Sequence, residues 1–444
     1  MITRIEIDGF KSFEGFSLDL QPFTAIVGPN ASGKSNLFDA LRFLSLLARE
    51  DISTAVRSIR GEPEELFRQT PGGPSTCMSF AVEVLLSRGG VDEFGAEFKI
   101  PGQRVRYEVK IAMALNDKGI PKGIFLREEN CRPITRKNDT AKFPRSTKIG
   151  YGGRKNPFIE LNEAGDAILV RQEGAQSHGL PMQFSLREAS RTTLSTITTA
   201  KFPHLYALRR VLTDIRFLEL NPAAARGAND RFEDRVMKAD ASNLAAVLVH
   251  LREETSCDLR PDGVLSDIAA DLSSFIPSVR RLVIEDDPNQ RRYSFAVEYH
   301  DGMKFSSRVI SDGTLRLLAL LTVLHDPRRR GTLCFEEPEN GVHEGRINML
   351  IDILRNSASI SDDPDDPPFQ ILVNTHSPKV MAALKSPEIV AVDNVIVVEP
   401  SIKRQSVKTR MRTGVKLMGD LFNPETHLST FEIDRLLQKM TSAA

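Results

Sequence analysis

The sequence predicts an α/β fold: a mixed sheet with a parallel core, an antiparallel β-subdomain and a helical insertion. Three observations predict it. Residues 28–35 read Gly-Pro-Asn-Ala-Ser-Gly-Lys-Ser and fit the phosphate-loop pattern G-x-x-x-x-G-K-[ST] at every position. Helix and buried-strand patterns alternate from about residue 315 to residue 373, as they do in a parallel sheet. Between about Cys77 and Val170 the texture changes to alternating polar and apolar runs separated by Gly, Pro and Asn-Asp turns, which is how an antiparallel sheet reads. A chain of 444 residues exceeds one ordinary core. Texture divides it into an N-terminal lobe (1–185) with the loop and the antiparallel sheet, a helical insertion (186–275) and a C-terminal lobe (276–444).

In chain order, Ile5/Ile7 and Leu18/Leu20 mark two half-buried strands, and Phe23–Val27 is a short, β-branched, fully apolar strand. The loop follows. Leu37, Phe38, Leu41, Phe43, Leu44 and Leu47 then repeat at helical spacing. Strand, glycine-rich loop and helix together fix the ligand class as a nucleoside triphosphate with magnesium. Gly28 and Gly33 let backbone amides turn toward phosphate oxygens, and the helix starting at Lys34 adds its positive dipole end. Lys34 is suited to the β- and γ-phosphates and the Ser35 hydroxyl to the metal. The cofactor-binding set is Gly28, Pro29, Asn30, Ala31, Ser32, Gly33, Lys34, Ser35 and Asn36.

Beyond the mixed stretch 51–69, the runs Met78–Leu85 and Val105–Met113 alternate as strands. Residues 186–275 read as helices, with Leu205, Leu208 and Leu212 at helix spacing, and again Leu244, Val247, Leu248 and Leu251 after a cap at Asp240 or Ser242. No heptad persists over three or four repeats, which excludes a long coiled coil. Strands return at Arg281–Ile284 and Tyr293–Tyr299, then a helix at Leu315–Leu324, a strand at Thr332–Phe335, a helix at Glu344–Leu354 and a strand at Phe369–Val373.

Two of these strands end in chemistry. Thr332–Phe335 runs into Glu336-Glu337-Pro338-Glu339-Asn340-Gly341, and acidic side chains at the carboxyl end of a parallel strand face the ligand crevice. Glu336 is expected in the magnesium shell. Glu337 is expected as the general base on water, a role that contributes on the order of 10²–10⁴ in rate. Phe369–Val373 leads into Asn374-Thr375-His376-Ser377, where His376 is placed to hydrogen-bond the γ-phosphate. Ile310-Ser311-Asp312-Gly313-Thr314 opens the helix 315–324, with Ser311 or Asp312 as its cap and free amides offered to an anion.

Lys+Arg and Asp+Glu are both 59, so formal net charge is zero and any contact with nucleic acid must come from a local patch. Two segments qualify: Lys142, Arg145, Lys148, Arg154 and Lys155, and Lys403, Arg404, Lys408, Arg410, Arg412 and Lys416. Neither interleaves the aromatics that base stacking needs, so a solvated loop or strand edge is the commoner explanation. The four cysteines lie far apart without a C-x-x-C pair, which argues against a zinc site or disulfide framework. No apolar run reaches membrane-spanning or signal length, so the expectation is a cytoplasmic protein with no membrane partner.

Taken in this order, the motifs resemble those of the ABC-type ATPases of the SMC, RecF and OLD (overcoming lysogenization defect) group. They are closest to its short, coiled-coil-free AAA-type relatives in prokaryotic DNA repair and phage defence. Gly28–Ser35 resembles Walker A, Leu333–Glu337 Walker B with its catalytic Glu, Ser311-Asp-Gly-Thr314 the signature motif, Pro338-Glu-Asn-Gly-Val-His343 the D-loop, and His376 the switch histidine. Gly9-Phe-Lys-Ser-Phe13, Asp240-Ala-Ser-Asn-Leu244 and Met418-Gly-Asp-Leu-Phe422 also look like this group, while 110–185 is the least familiar stretch. The chain departs from the pattern in three places: Glu336 stands where Asp is usual, Glu344 where a Pro often follows the D-loop His, and the Q-loop is represented only by Gln69. Val395–Glu399 resembles the first strand of a Toprim nuclease, but Pro400 replaces its glycine and no D-x-D follows, so no nuclease is expected in cis.

The resemblance implies an ABC-type P-loop head with ATP and Mg²⁺ as cofactors. Catalysis would fall to Glu337, His376 and Lys34, and the metal to Ser35 and Glu336. It further implies a homodimer or higher homo-oligomer in which Ser311 and Gly313 of one copy meet the nucleotide of the other. The expected function is ATP hydrolysis coupled to DNA or to a separate effector, a nuclease or toxin, in genome maintenance or phage defence. The alternative is an ATP-dependent scaffold that sequesters or presents such a partner with little turnover. A transporter nucleotide-binding domain is disfavoured by the large insertion between residues 70 and 300.

Overall fold

A computed structural model describes residues 1–141, 149–173, 181–360, 367–399, 404–414, 423–429 and 431–435. At its centre is a six-stranded sheet in the order Ile215–Leu218, Gly331–Glu336, Phe369–Thr375, Phe23–Val27, Ile389–Glu399, Arg404–Thr413. The first five run parallel and the last returns antiparallel as a hairpin. Phe23–Val27 and Phe369–Thr375 are buried at every residue, as strands covered on both faces must be.

The side-chain period of two splits each strand between two cores. Ile26, Cys334, Leu372 and Val390 face the cluster that contains the helices Lys34–Leu47 and Pro203–Thr213. Ala25, Val27, Leu333, Phe335, Ile371, Val373 and Ile389 face the cluster that contains Leu244–Thr255, Leu265–Phe275, Asp312–His325 and Ile347–Ser357. The result is the expected α/β class, a mixed sheet with a parallel core covered by helices on both faces.

The antiparallel sheet has eight strands in the order Met182–Ser185, Ala167–Val170, Ile159–Leu161, Pro121–Pro133, Arg104–Leu115, Cys77–Leu85, Ile2–Asp8, Phe16–Asp19. The first two strands of the chain therefore lie at one end of this sheet, with Phe16–Asp19 at its edge, while the strand three residues after Leu20 belongs to the other. A smaller antiparallel sheet joins Asn229–Asp230, Arg292–Tyr299, Val279–Asp287 and Lys304–Ser306.

Residues 186–275 are more than a helical insertion. Ile215–Leu218 forms the edge of the core sheet, in parallel register with Thr332–Phe335, and the helices of the segment pack on both faces of that sheet. Four residues containing an arginine, set between a helix and Pro222, carry too little alternation to announce a strand. The cap of Leu244–Thr255 also differs from expectation. It is Asn243, whose side chain is spent on the carbonyls of Asp234 and Val236, while Asp240 accepts from the Ser242 amide. No helix among the described residues is long and apolar enough to cross a membrane.

Candidate functional site

Register brings the sequence motifs to one end of the core sheet. Glu336 pairs with Asn374, which pairs with Ile26, and Thr375 pairs with Val27. The loop leaving Val27, the acids after Phe335 and the histidine after Thr375 therefore emerge side by side at the carboxyl ends of neighbouring parallel strands, where α/β sheets bind ligands.

The loop bends through two left-handed residues, Ala31 (φ 60°) and Gly33 (φ 98°). Gly33 is the N-cap of Lys34–Leu47 and makes no side-chain cap, so the first amides of that helix stay available to an anion. Pro29, Asn30 and Ala31 are exposed; Ser32 is buried, and its hydroxyl has no protein partner. The Lys34 ammonium donates to the carbonyls of Gly28 (2.7 Å) and Pro29 (2.8 Å). Burial lowers its pKa, and the nearby carboxylates of Glu337 and Glu336 partly offset that effect. Asn36 donates to the Ser12 hydroxyl at 2.7 Å, which places it behind the loop. Ser35 and Glu336 share a cleft of about 280 Å³ with Asp39, Arg42 and Arg60.

Glu337 has φ 49°, a conformation that costs a non-glycine residue about 1–3 kcal/mol and persists only where its surroundings enforce it. Its amide donates to the Asn374 carbonyl at 2.7 Å. Its carboxylate sits between Asn340 Nδ2 (2.7 Å) and His376 Nδ1 (2.8 Å). The Asn374 side-chain amide reaches Glu336 at 3.3 Å, and its own oxygen is buried without a partner. Lys34, Glu336, Glu337 and His376 thus converge as the sequence suggested.

Ser311 and Gly313 do not join them within one copy: among the described residues no hydrogen bond links either to residues 28–36. Ser311 caps Asp312–His325 through the Thr314 amide (3.2 Å), and its hydroxyl also meets that of Thr314. Gly313 passes so close to Gly341 that an added Cβ would lie 2.6 Å from the Gly341 carbonyl oxygen. The helix start therefore has partners of its own.

Other sequence candidates lie elsewhere. The Gln69 side chain donates to the carbonyls of Glu64 and Phe67, its own turn, and to none of the site residues. Arg154 lies over the Phe158 ring and donates to the carbonyls of Asn156 and Pro157. Arg410 pairs with Asp393 and Glu425, and Arg412 with Asp393 and Glu432, so these two cations of the second basic segment are paired with acids from outside it. Lys142, Arg145, Lys148, Lys403, Lys416 and Met418–Phe422 lie outside the described residues. Val395–Glu399, the Toprim-like stretch, belongs to the core-sheet strand Ile389–Glu399.

Sequence reasoning missed the support of the loop. Thr409, on the last strand, hydrogen-bonds Ser12 (2.7 Å) and the Ser32 carbonyl (3.3 Å) and closes so tightly on Gly33 that a Cβ there would meet its hydroxyl at 2.1 Å. A Cβ on Gly28 would meet the Val392 carbonyl oxygen at 2.8 Å. Nothing local in the sequence links 409 to 33. Asn340 and Thr375 were visible only as neighbours of Glu337 and His376. A cleft of about 1050 Å³ around Arg88, Arg210, Asp214 and Arg330 lies at the opposite, amino end of the core strands and holds none of the motif residues.

The residues fit a magnesium nucleotide. Left-handed turns and a helix start face an anion, Lys34 is cationic, and Ser35 and Glu336 offer hard oxygen donors. No three His, Cys, Asp or Glu side chains form a metal cage among the described residues. Magnesium is ordinarily held by one or two protein oxygens together with substrate phosphates and water.

Comparison with known proteins agrees. Residues 1–83 match the family model described as "AAA ATPase domain", and residues 183–382 the one described as "AAA domain, putative AbiEii toxin, Type IV TA system". A stretch of 44 residues, 10% of this chain and 4% of the relative, is 57% identical to the chromosome partition protein Smc of Methanocaldococcus jannaschii. Over 306 residues, 63% of this chain and 24% of the relative, identity to the Smc of Rhodopseudomonas palustris is 24%. These matches thus cover no more than a quarter of the relatives' own length. Among solved structures, the Smc head of Pyrococcus furiosus with an extended coiled coil, bound to the C-terminal domain of ScpA, superposes at TM-score 0.47 with 14% identity, covering 99% of each chain. Both matched regions, 1–83 and 183–382, contribute residues to this one site, which is thus built from the two stretches that match AAA-type ATPase domains.

Proposed function

We propose that the chain hydrolyses ATP as a head-to-tail dimer and couples closure and hydrolysis to a partner effector or to DNA in genome maintenance or phage defence. One observation carries the reading: the Glu337 carboxylate, held between His376 and Asn340 at the carboxyl end of the core strands, faces the lysine of the phosphate loop. A protein that only bound a nucleotide would have no use for a strained, doubly held carboxylate there.

ATP and Mg²⁺, when bound, supply the phosphoanhydride and the neutralisation of its charge. The chain supplies the rest. The amides of residues 31–35 and the Lys34 ammonium bind phosphate oxygens, and Ser35 with Glu336 holds the metal side. Glu337 orients water and takes its proton on one carboxylate oxygen, while His376 and Asn340 fix the direction in which that oxygen points. Ser311 and Gly313, at a helix start away from their own loop, complete the site of a second copy. Residues 1–185 and 276–444 act as the two lobes of the head. The AbiEii toxin description of the model matching 183–382 supports a place in a toxin-type defence system, and the pairing of Arg410 and Arg412 with acids weighs against that segment as a DNA contact.

The test combines size-exclusion chromatography with phosphate release. Glu337→Gln is expected to lower kcat at least a hundredfold and to accumulate a dimer with ATP, whereas Lys34→Ala stays monomeric. A Glu337→Gln chain that remains monomeric at saturating ATP would refute the head-to-tail dimer. Dimerisation of the wild type on ATP without phosphate release would favour the scaffold reading.

A further inference from the structure

Two residues beyond the proposed base, Glu339 turns inward. Its Oε1 accepts a hydrogen bond from the Thr375 hydroxyl at 2.6 Å, and that hydroxyl in turn accepts from the Ser377 amide at 3.0 Å. Thr375 is fully buried. The second carboxylate oxygen of Glu339, Oε2, is also out of solvent and has no hydrogen-bond partner. Burial pushes the carboxyl above its usual range, against the opposing pull of the Thr375 hydrogen bond. An acid that merely decorated a solvated turn would point outward, since leaving a buried polar oxygen unpaired costs about 1–3 kcal/mol.

The neighbouring geometry gives that cost a purpose. Glu337 is held in the left-handed region, which requires outside constraint. The turn that carries it touches the strand Phe369–Thr375 and its exit at three places: the Glu337 amide on the Asn374 carbonyl, the Glu337 carboxylate on His376, and Glu339 on Thr375. The first is a backbone bond that any sequence could make, and the second uses the reactive carboxylate itself. Only the third is a side-chain tie that leaves Glu337 free to work.

We propose that Glu339 is a positioning residue for hydrolysis: anchored to Thr375, it fixes the turn Glu337–Gly341 against the strand that presents His376, so that the Glu337 carboxylate keeps its direction. The proposal rests on the hydrolase reading above. Breaking the tie lowers kcat and leaves ATP binding intact, because Lys34, Ser35 and the loop amides are untouched.

The experiment measures kcat, KM for ATP, nucleotide affinity by calorimetry and Tm for wild type, Glu337→Gln, Glu339→Ala, Glu339→Gln, Thr375→Val and the double variant Glu339→Ala/Thr375→Val. Glu339→Ala and Thr375→Val are each expected to lower kcat at least tenfold, with KM and affinity within about twofold of wild type. The double variant is expected to be no worse than the poorer single one, since both remove the same contact. Glu339→Gln, which keeps an oxygen for the Thr375 hydroxyl, recovers most of the rate. If wild type and Glu337→Gln behave as expected while Glu339→Ala and Thr375→Val turn over at the wild-type rate, the positioning role is wrong and the hydrolase reading stands. Equal losses in affinity and kcat, or fully additive effects, also overturn it in favour of a general structural role. A wild type that releases no phosphate in any assembly overturns both.

Discussion

Gly313 illustrates how one residue can have two explanations. The sequence pattern places it, with Ser311, against the nucleotide of a second copy. The structure gives it work within its own chain, because the backbones of Gly313 and Gly341 pass with no room for a side chain on either: a Cβ on Gly341 would lie 2.7 Å from Gly313 Cα. The helix start and the turn that follows Glu337 are therefore packed as one piece. Gly313→Ala must push that turn aside, and overpacking of this kind costs about 1–3 kcal/mol. The variant is expected to lose thermal stability as a monomer without nucleotide, measured by Tm, along with activity. An unchanged Tm combined with loss of ATP-dependent dimerisation would assign the glycine to the intermolecular contact alone. Glu337, by contrast, was legible from position: an acid at the end of a buried strand in a chain with a phosphate loop. Its left-handed backbone and its partners Asn340 and His376 were not, since they depend on which strand lies next to which.

The hairpin Ile389–Thr413 is the element that sequence reasoning valued least and the site uses most. Its first strand pairs with the phosphate-loop strand, Ile389 opposite Ala25 and Ala391 opposite Val27. Its second strand brings Thr409 against Ser12 and the Ser32 carbonyl. The loop is thus clamped between the helix it begins and a hairpin some 360 residues later in the chain. Thr409→Val keeps the shape and removes both hydrogen bonds, leaving the half-buried Ser12 hydroxyl with fewer partners. At about 1 kcal/mol per bond lost, ATP affinity is expected to fall roughly five- to thirtyfold with little change in kcat, as calorimetry and steady-state kinetics can verify. Thr409→Ser keeps the hydroxyl and is expected to bind within about threefold of wild type. The elements that could be read, such as Phe23–Val27, Lys34–Leu47 and Gly331–Glu336, each carry a local signature of apolar period and punctuation. Those that could not be read are defined by distant pairing. Ile215–Leu218 is too short to signal itself, and the arginines at 410 and 412 looked unpaired only because Asp393, Glu425 and Glu432 come from outside their segment.

The two largest sheets differ in what holds them, and pH separates them. The parallel core is closed by aliphatic packing on both faces and contains few ionised groups away from the site. The antiparallel lobe is fastened by charge. Arg104, with no exposed side-chain surface, presents its guanidinium fork to Asp139 (2.9 and 3.0 Å) and reaches Glu83 only at 3.5 Å. Burial alone would raise the Asp139 carboxyl, but the bonds from Arg104, the Ala141 amide and Tyr151 outweigh it and hold it at about 2. Glu6, bound by Arg106 and Arg4 against the same burial, is likewise held at about 2. Glu83 lacks so close a partner, and burial pushes its carboxyl up. A carboxyl whose folded pKa lies below its unfolded value near 4 stabilises the fold above that value and loses the contribution as pH falls toward 2. Wild-type stability is therefore expected to decline between about pH 4.5 and pH 2, with the antiparallel lobe opening first, as amide hydrogen exchange across Ile2–Asp8 and Arg104–Leu115 would register. Asp139→Asn removes a titrating partner and takes from the buried Arg104 its closest carboxylate, leaving Glu83 at 3.5 Å, a change that costs up to about 3–5 kcal/mol. The variant is expected to be less stable at pH 7 but to depend less on pH below 4.5, so that the wild-type and variant curves converge in acid. Parallel curves down to pH 2 would show that the Arg104–Asp139 clamp contributes nothing to acid sensitivity and that the decline originates elsewhere in the lobe.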